Sequence, residues 1–465
     1  MAERHKVVIL GGGFAGLYAA LELEKSLARH ADVDVTLVNR ENFFLFTPML
    51  HEVAAGDLDP TNIVNPIRKL LRRVSFYEGR VLRIDLHNKN VTVAHGFEEH
   101  THELSYDQII LALGSTTQFF NLPGVEEHAL TMKTLADAVR LRNHLIGVLE
   151  ERDAECARNE RSDPLSVMVA GAGFAGVETL ASINDFLRHS MQFYRNLSER
   201  DLRIVLVHPN EVILSELNPQ LASYAQRKLE ERGVEVRAHS KVASYDGEVV
   251  QLTDGERIPT RTLIWTAGTM SHPLMGTLPC ETERGRLKVA PDLAVTGWPG
   301  VWALGDCALI PDLATGSFCP PTAQHALRQA KVVAQNVLAH AKGRQLRKFR
   351  FKTIGQLASI GRRAGVANIF GINISGFLAW WIWRTIYLSK LPRLEKKLRV
   401  ALDWTLDLIF SKDLCRFLEV HREKTGWTAT SEEAKRQATE SPDSHVAATT
   451  PATSFRKNPV TPETL

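Results

Sequence analysis

Apolar positions fall into two alternating rhythms along this chain. Val7–Leu10 is an unbroken apolar run of strand length, and Leu17–Leu27 then repeats its apolar positions with helical spacing. Gly11-x-Gly13-x-x-Gly16 stands between them. The same order returns at Val167–Ala170, followed by Gly171-x-Gly173-x-x-Gly176 and a second helical stretch. Runs at Val33–Val38, Arg80–Asp85, Asn90–His95, Gln108–Leu113, Arg203–Val207 and Leu263–Gly268 predict further strands. Arg140–Cys156 reads as a polar helix and Ala157–Pro164 as a connector. Pro320-Pro321 opens a long helix through Ala339, since proline is well placed at a helix start.

Strand, glycine turn and helix in this order have a chemical consequence. The first glycine permits the tight turn, the second lets backbone approach a diphosphate, and the third lets helix pack on strand. The helix N-terminus then offers free N–H groups and a positive dipole end to phosphate. Two such units predict an α/β fold with two Rossmann-like dinucleotide-binding domains. Gly11, Gly13, Phe14, Ala15 and Gly16 are the candidate residues of one site, and Gly171, Gly173, Phe174, Ala175 and Gly176 those of the other.

The strand after each loop normally ends in an acid that grips a ribose hydroxyl. Here the first ends at Asn39-Arg40 and the second at His208, with Glu211 nearby as a substitute carboxylate. Asn39 can bond a hydroxyl without the strength of a charge. A neutral His208 would accept a bond, whereas a protonated one would favour an added 2′-phosphate, so NADH against NADPH stays open. Gly114 and Gly268 end two further strands where backbone can approach a ligand. Gly305-Asp306 follows the run from Gly300 and places a carboxylate for the ribityl and phosphate part of a flavin, which points to FAD. Ala323 and Gln324 open the helix after the diproline.

Two polar features sit among these. Phe43–Gly56 is an aromatic and apolar loop carrying His51-Glu52, read either as a core-lining loop or as a hydrophobic wall beside a flat ring, with a proton-transfer group in it. Glu178 follows the second glycine loop by two residues, either as a first-turn acid favoured by the helix dipole or as an acceptor from a ligand amide.

Composition alters the picture mainly at the C-terminus. Net charge over 465 residues is +3, which gives no reason to expect nucleic acid. Five cysteines form no CxxC pair, arguing against thiol–disulfide chemistry, and no metal site is expected. Met1–Lys6 is short and polar, so no signal peptide is expected, and no stretch reaches the ~18–20 apolar residues of a membrane span. Across Lys342–Lys424, however, Lys and Arg outnumber Asp and Glu about three to one. Gly376–Leu388 is apolar almost all round, with interfacial aromatics Trp380, Trp381, Trp383 and Tyr387. In Leu391–Phe410, Leu394, Leu398, Leu402, Leu406 and Ile409 form one stripe, and Lys396, Arg399, Asp403 and Asp407 lie mainly on another face. That pattern suits either a helix lying in an anionic lipid interface or a dimer contact. Thr425–Leu465 is rich in Ser, Thr, Pro, Glu and Lys and is expected to be disordered.

G-G-G-F-A-G at 11–16, T-P-M-L-H-E-V-A-A-G at 47–56, G-A-G-F-A-G-V-E at 171–178, G-D-C-A at 305–308 and A-Q-H-A at 323–326 together resemble type II NADH:quinone oxidoreductases. The resemblance runs from about residue 5 to residue 420 and implies a glutathione-reductase-like arrangement with a C-terminal amphipathic membrane-binding region. It implies FAD at the first loop with Asp306, and NADH at the second loop, where Glu178 bonds the carboxamide. Gln324 would stand where flavin and a membrane quinone meet, with His51 as a further catalytic candidate. The implied organisation is an FAD-binding part at 1–120 and 270–343, a nucleotide-binding part at 121–269, membrane-surface helices at 344–424 and a tail at 425–465. A peripheral protein on the cytoplasmic face of the inner or plasma membrane, with a homodimer as an option, is the implied setting. Asn39 and His208 depart from the expected acids. Two alternatives stay open: a sulfide:quinone oxidoreductase, which would need reactive cysteines beside the flavin, and a non-catalytic NADH-binding flavoprotein.

Overall fold

In the computed structural model, β1 (His5–Leu10) is buried along its whole second half, where Val8, Ile9 and Leu10 are at most 3% exposed. Burial of each such side chain contributes ~1.5–3 kcal/mol. The structure describes residues 4–27, 32–96, 99–158 and 164–416, which lie in one compact unit. The expected disordered tail at 425–465 lies outside the described residues.

The chain continues through α1 (Phe14–Leu27) and β2 (Val33–Asn39). The Phe43–Gly56 segment, expected as a loop, is a short strand at Phe43–Leu45, a 3-10 turn at Thr47–Met49 and the helix α2 (Leu50–Ala54). Pro48 presets the helical φ, and Leu50, Val53 and Ala54 are buried, which favours helix over loop. β3 (Ser75–Glu78) and β4 (Gln108–Leu111) complete the first pass. The expected strands Arg80–Asp85 and Asn90–His95 pair, and a third strand, His100–Ser105, adds to them. That last strand is mostly exposed, so apolar alternation gave no sign of it.

A short strand β5 (Ser115–Thr117) leads to β6 (Leu130–Thr131) and α3 (Leu135–Ala157). The helix starts five residues before the expected Arg140 because Thr134 and Asp137 form a reciprocal capping box. Next come β7 (Leu165–Ala170), α4 (Phe174–Met191), β8 (Leu202–Val207), β9 (Val234–Arg237), β10 (Leu263–Trp265) and β11 (Thr269–Ser271). β12 (Val301–Ala303) then returns to the first sheet, followed by α5 (Ala323–His340).

Two five-stranded sheets result, ordered β12-β4-β1-β2-β3 and β6-β10-β7-β8-β9. Every pairing in them is parallel, and the first glycine loop leaves β1 and the second leaves β7. Both loops therefore open at the carboxyl ends of their strands, where open parallel sheets take ligands. β5 and β11 pair antiparallel, Ser115 opposite Ser271, where the chain passes between the two sheets.

Beyond α5, β13 (Gly355–Ser359), β14 (Gly365–Ile369) and β15 (Ile372–Ser375) form an antiparallel sheet. α6 (Phe377–Lys390) and α7 (Leu394–Leu406) follow. Among the described residues no helix is long and apolar enough to cross a membrane.

Candidate active site

The two glycine loops are near copies. Gly11 and Gly171 both have φ near +100°, and a Cβ at Gly16 or Gly176 would fall within 2 Å of the carbonyl oxygen of Gly11 or Gly171. Those glycines are required by the protein itself. Gly13 and Gly173 are different: each is exposed, and a Cβ there would meet no protein atom within 4 Å. Nothing in the chain asks for glycine at these two positions, so the open space in front of each loop fits a ligand backbone, as a dinucleotide diphosphate requires. Phe14 is packed against Phe44 and Phe46, and Ala15 lies against Gly305. Phe174 is half-buried and Ala175 exposed.

The strand ends are used differently from the usual pattern. Asn39 Oδ1 accepts from the Gly12 N–H at 2.7 Å and Asn39 Nδ2 donates to the Glu41 carbonyl at 2.8 Å, so Asn39 braces the glycine loop. Arg40 is ion-paired with Glu41. His208 is only 2% exposed, and burial lowers its pKa. Its Nε2 has no hydrogen-bond partner among the described residues. Gly268 lies against the Phe120 ring and the Gln118 carbonyl at the crossing between sheets. Gly114, with φ +72°, has an open face.

Asp306 sits beyond the end of β12, beside the first glycine loop. The Gly305 N–H donates to Gln329 Oε1 at 3.0 Å, fixing the turn. Ser115 Oγ donates to Asp306 Oδ2 at 2.8 Å and itself accepts from Lys133 Nζ at 3.1 Å. Motif spacing does not reveal that the Ser115 hydroxyl reaches Asp306 across 191 residues with Lys133 behind it, or that Gln329 holds the neighbouring Gly305.

Glu178 is 8% exposed, and its Oε1 accepts from the Trp383 indole at 2.8 Å and the Ser359 N–H at 3.0 Å. Burial pushes its carboxyl up to about 8 against these two donors. One turn along α4, Ser182 Oγ lies 2.9 Å from His51 Nδ1, and the His51 ring is 5.5 Å from that of Trp383. His51 is buried and held neutral, its pKa pushed down to about 3. Gln324, in the first turn of α5, donates to the Gly355 carbonyl at 3.2 Å. Glu178 and Gln324 thus bond opposite ends of β13, and the structure gathers Glu178, His51 and Trp383 at one of those ends.

Glu52 forms a second buried acid. Its Oε2 accepts from the Trp404 indole at 3.1 Å, and Arg384 lies 4.0 Å away. Burial pushes its carboxyl up to about 8, with Arg384 pulling it back. The Arg384 guanidinium stacks between Trp380 at 4.1 Å and Trp404 at 4.6 Å, which secures a cation in a dry place. Glu52 lines a cleft with Ser182, Ser359, Asp57 and His189.

α7 is turned opposite to a core helix. Leu394, Leu398, Leu402 and Leu406 are exposed, as are Leu408, Ile409 and Phe410 beyond it. Its polar residues face the protein: Lys396 Nζ donates to the Thr61 carbonyl and Asp403 accepts from Asn62 Nδ2, both at 2.6 Å. On α6 and its preceding hairpin, Phe370, Ile372, Phe377, Leu378 and Trp381 are exposed as well.

The five cysteines are unpaired. Burial pushes the Cys280, Cys307 and Cys319 thiols up to about 11, which leaves them poor nucleophiles.

Residues 5–330 match the pyridine nucleotide-disulphide oxidoreductase family and residues 354–413 the NDH2 C-terminal domain. The chain is 32% identical over 426 residues to the type II NADH:quinone oxidoreductase Ndh of Mycobacterium tuberculosis, covering 88% of this chain and 89% of that one. NDH2 of Plasmodium falciparum, solved with NADH, shares the fold at a TM-score of 0.80 and 20% identity, over 89% of this chain and all of that one. The sulfide:quinone oxidoreductase of Aquifex aeolicus shares it at 0.65 and 15% identity, over 89% of this chain and 98% of that one.

Proposed function

The chain belongs to the family of type II NADH:quinone oxidoreductases, and from that premise we propose that it carries two electrons from NADH, by way of FAD, to a quinone in a membrane. The observation that carries this reading is the pair of glycine loops, each with space before its second glycine that no protein atom fills, and Glu178 just past the first turn of α4. FAD, when bound, supplies the two-electron acceptance and release that no side chain can perform.

The chain's residues bind, orient and seal. Gly11–Gly16, Asn39 through the loop it braces, and Asp306 hold FAD, with the Gly114 backbone alongside. Gly171–Gly176 holds the nicotinamide dinucleotide, with the end of β8 at His208 setting the ribose environment. NADH is favoured over NADPH, because a neutral, buried His208 supplies no charge for a 2′-phosphate. Glu178, protonated at neutral pH and held by Trp383 and Ser359, orients the carboxamide. Gln324 and Ala323 on α5, with His51 on α2, frame the quinone oxygens between Phe43–Gly56 and Pro320–Ala326. The parts at 1–120 and 270–343 serve FAD, and 121–269 serves NADH.

The protein is peripheral to the membrane. α6, α7 and the residues after them present leucines, phenylalanines and Trp381 to the acyl boundary, while the surrounding lysines and arginines meet anionic headgroups. We place it on the cytoplasmic face, where NADH is supplied. A homodimer through the same apolar stripe is the competing use of that surface.

The test is quinone reduction by the purified, flavin-loaded protein with NADH, NADPH or sulfide as donor. Turnover with NADH and none with sulfide is expected, since the Cys280, Cys307 and Cys319 thiols are held protonated. Turnover with sulfide alone would refute the reading.

A further inference from the structure

Lys133 is a lysine without an obvious employer. It lies between β6 and α3, in the stretch that leads into the second sheet, yet its side chain reaches Ser115 and, through it, Asp306 of the first. Its backbone is firmly placed: the N–H groups of Lys133 and Thr134 both donate to Asp137 Oδ2 at 2.9 Å. Lys133 is half-buried, and among the described residues Ser115 Oγ is the one hydrogen-bond acceptor its three-donor ammonium meets. Burial lowers its pKa while the Asp306 carboxylate raises it again.

The balance of charge makes the position informative. A diphosphate brings two negative charges to a site that already holds the Asp306 carboxylate, and a helix N-terminus offers about half a positive charge. The first glycine loop contains no lysine or arginine. Arg40, the basic residue that follows β2, is 63% exposed and paired with Glu41. The cation joined to Asp306 by hydrogen bonds is Lys133.

Resting on the assignment of FAD to the first glycine loop, we propose that Lys133 is a positioning residue for that cofactor. It acts through Ser115 to fix the Asp306 carboxylate, and its charge offsets the negative charge gathered there. A lysine that merely struts the two sheets together would stabilise the chain equally with and without FAD.

The experiment compares wild type, Lys133→Met, Lys133→Arg and Ser115→Ala as full-length chains. It measures FAD affinity of the apoprotein at two salt concentrations and thermal midpoints with and without FAD. We expect Lys133→Met to weaken FAD binding about tenfold at low salt, equivalent to about 1.4 kcal/mol. Its binding should also be less salt-sensitive than that of wild type. Lys133→Arg should recover most of the loss, and Ser115→Ala should weaken binding in the same direction. The midpoint of the apoprotein should stay unchanged while that of the FAD-loaded form falls. FAD affinity of Lys133→Met equal to wild type would overturn the proposal, as would an apoprotein midpoint that falls as far as the loaded one. Should Lys133→Met fold poorly, an unchanged affinity in Ser115→Ala would overturn it equally. A wild-type chain that takes up no FAD would instead overturn the proposed function, and this inference with it.

Discussion

Glu178 shows how a residue can be found in a sequence while its environment stays hidden. Its place two residues after the second glycine loop marks it as a candidate, because that helix must start at the nucleotide. The Trp383 indole and Ser359 N–H that hold it lie 205 and 181 residues away, and no local pattern encodes such partners. Asn39 is the converse case: what reads as a ribose ligand spends its side-chain oxygen on Gly12. The burial of Glu178 and Glu52 has a consequence for stability. Both carboxyls are raised to about 8, so the folded chain keeps protons that the unfolded chain releases above about 4.5. Stability from this source is full below the unfolded value and is lost as pH rises toward 8, by on the order of 1 kcal/mol per pH unit for each acid. Thermal midpoints of the ligand-free protein between pH 5 and 8 should therefore fall, and Glu52→Gln should flatten the slope; an equally steep slope in that variant would remove Glu52 from the account. Glu178→Ala should raise the KM for NADH or lower kcat by about tenfold, the scale of one lost buried hydrogen bond. Both constants unchanged in steady-state assays would deny Glu178 a role at the nicotinamide.

At the scale of elements, strand–glycine–helix units were legible because two signals coincide in them: an apolar run of strand length and a glycine spacing fixed by steric contact. The Phe43–Gly56 segment was less so, since its aromatic composition masks a five-residue helix that only tertiary burial makes stable. α7 shows a third situation. Its leucine stripe is plain in the sequence, but periodicity alone does not say which face is turned inward, and a leucine face normally enters the core. Here Val400 and Trp404 enter the core, Lys396 and Asp403 are bonded to the chain, and the leucines are left outside. Leu398→Asp with Leu402→Asp should weaken binding to anionic vesicles by about tenfold or more, from the apolar area withdrawn from lipid. Thermal stability should change little because both positions are exposed, 64% and 57%. Co-sedimentation that is undiminished would mean the stripe does not meet lipid, and a simultaneous change of oligomeric state in gel filtration would assign it to a dimer contact.

Taken as a whole, the molecule sets two parallel sheets with their ligand-binding ends carrying matched glycine loops, and a C-terminal sheet whose first strand bonds both Glu178 and Gln324. Ser359 of β13 and Trp383 of α6 both bond Glu178 near the start of α4, so the candidate site is assembled from segments about 200 residues apart. That assembly was out of reach of motif reading, which places each candidate on its own element. All of this serves one flavin that takes electrons from a nucleotide and passes them to a membrane quinone. The most direct measurement is an anaerobic two-step mixing experiment on the flavin-loaded protein, following the visible flavin absorbance. NADH should bleach the flavin, and a soluble quinone added next should restore its colour at least as fast as steady-state turnover. A flavin that NADH reduces but that stays bleached for minutes in the presence of quinone would contradict the account.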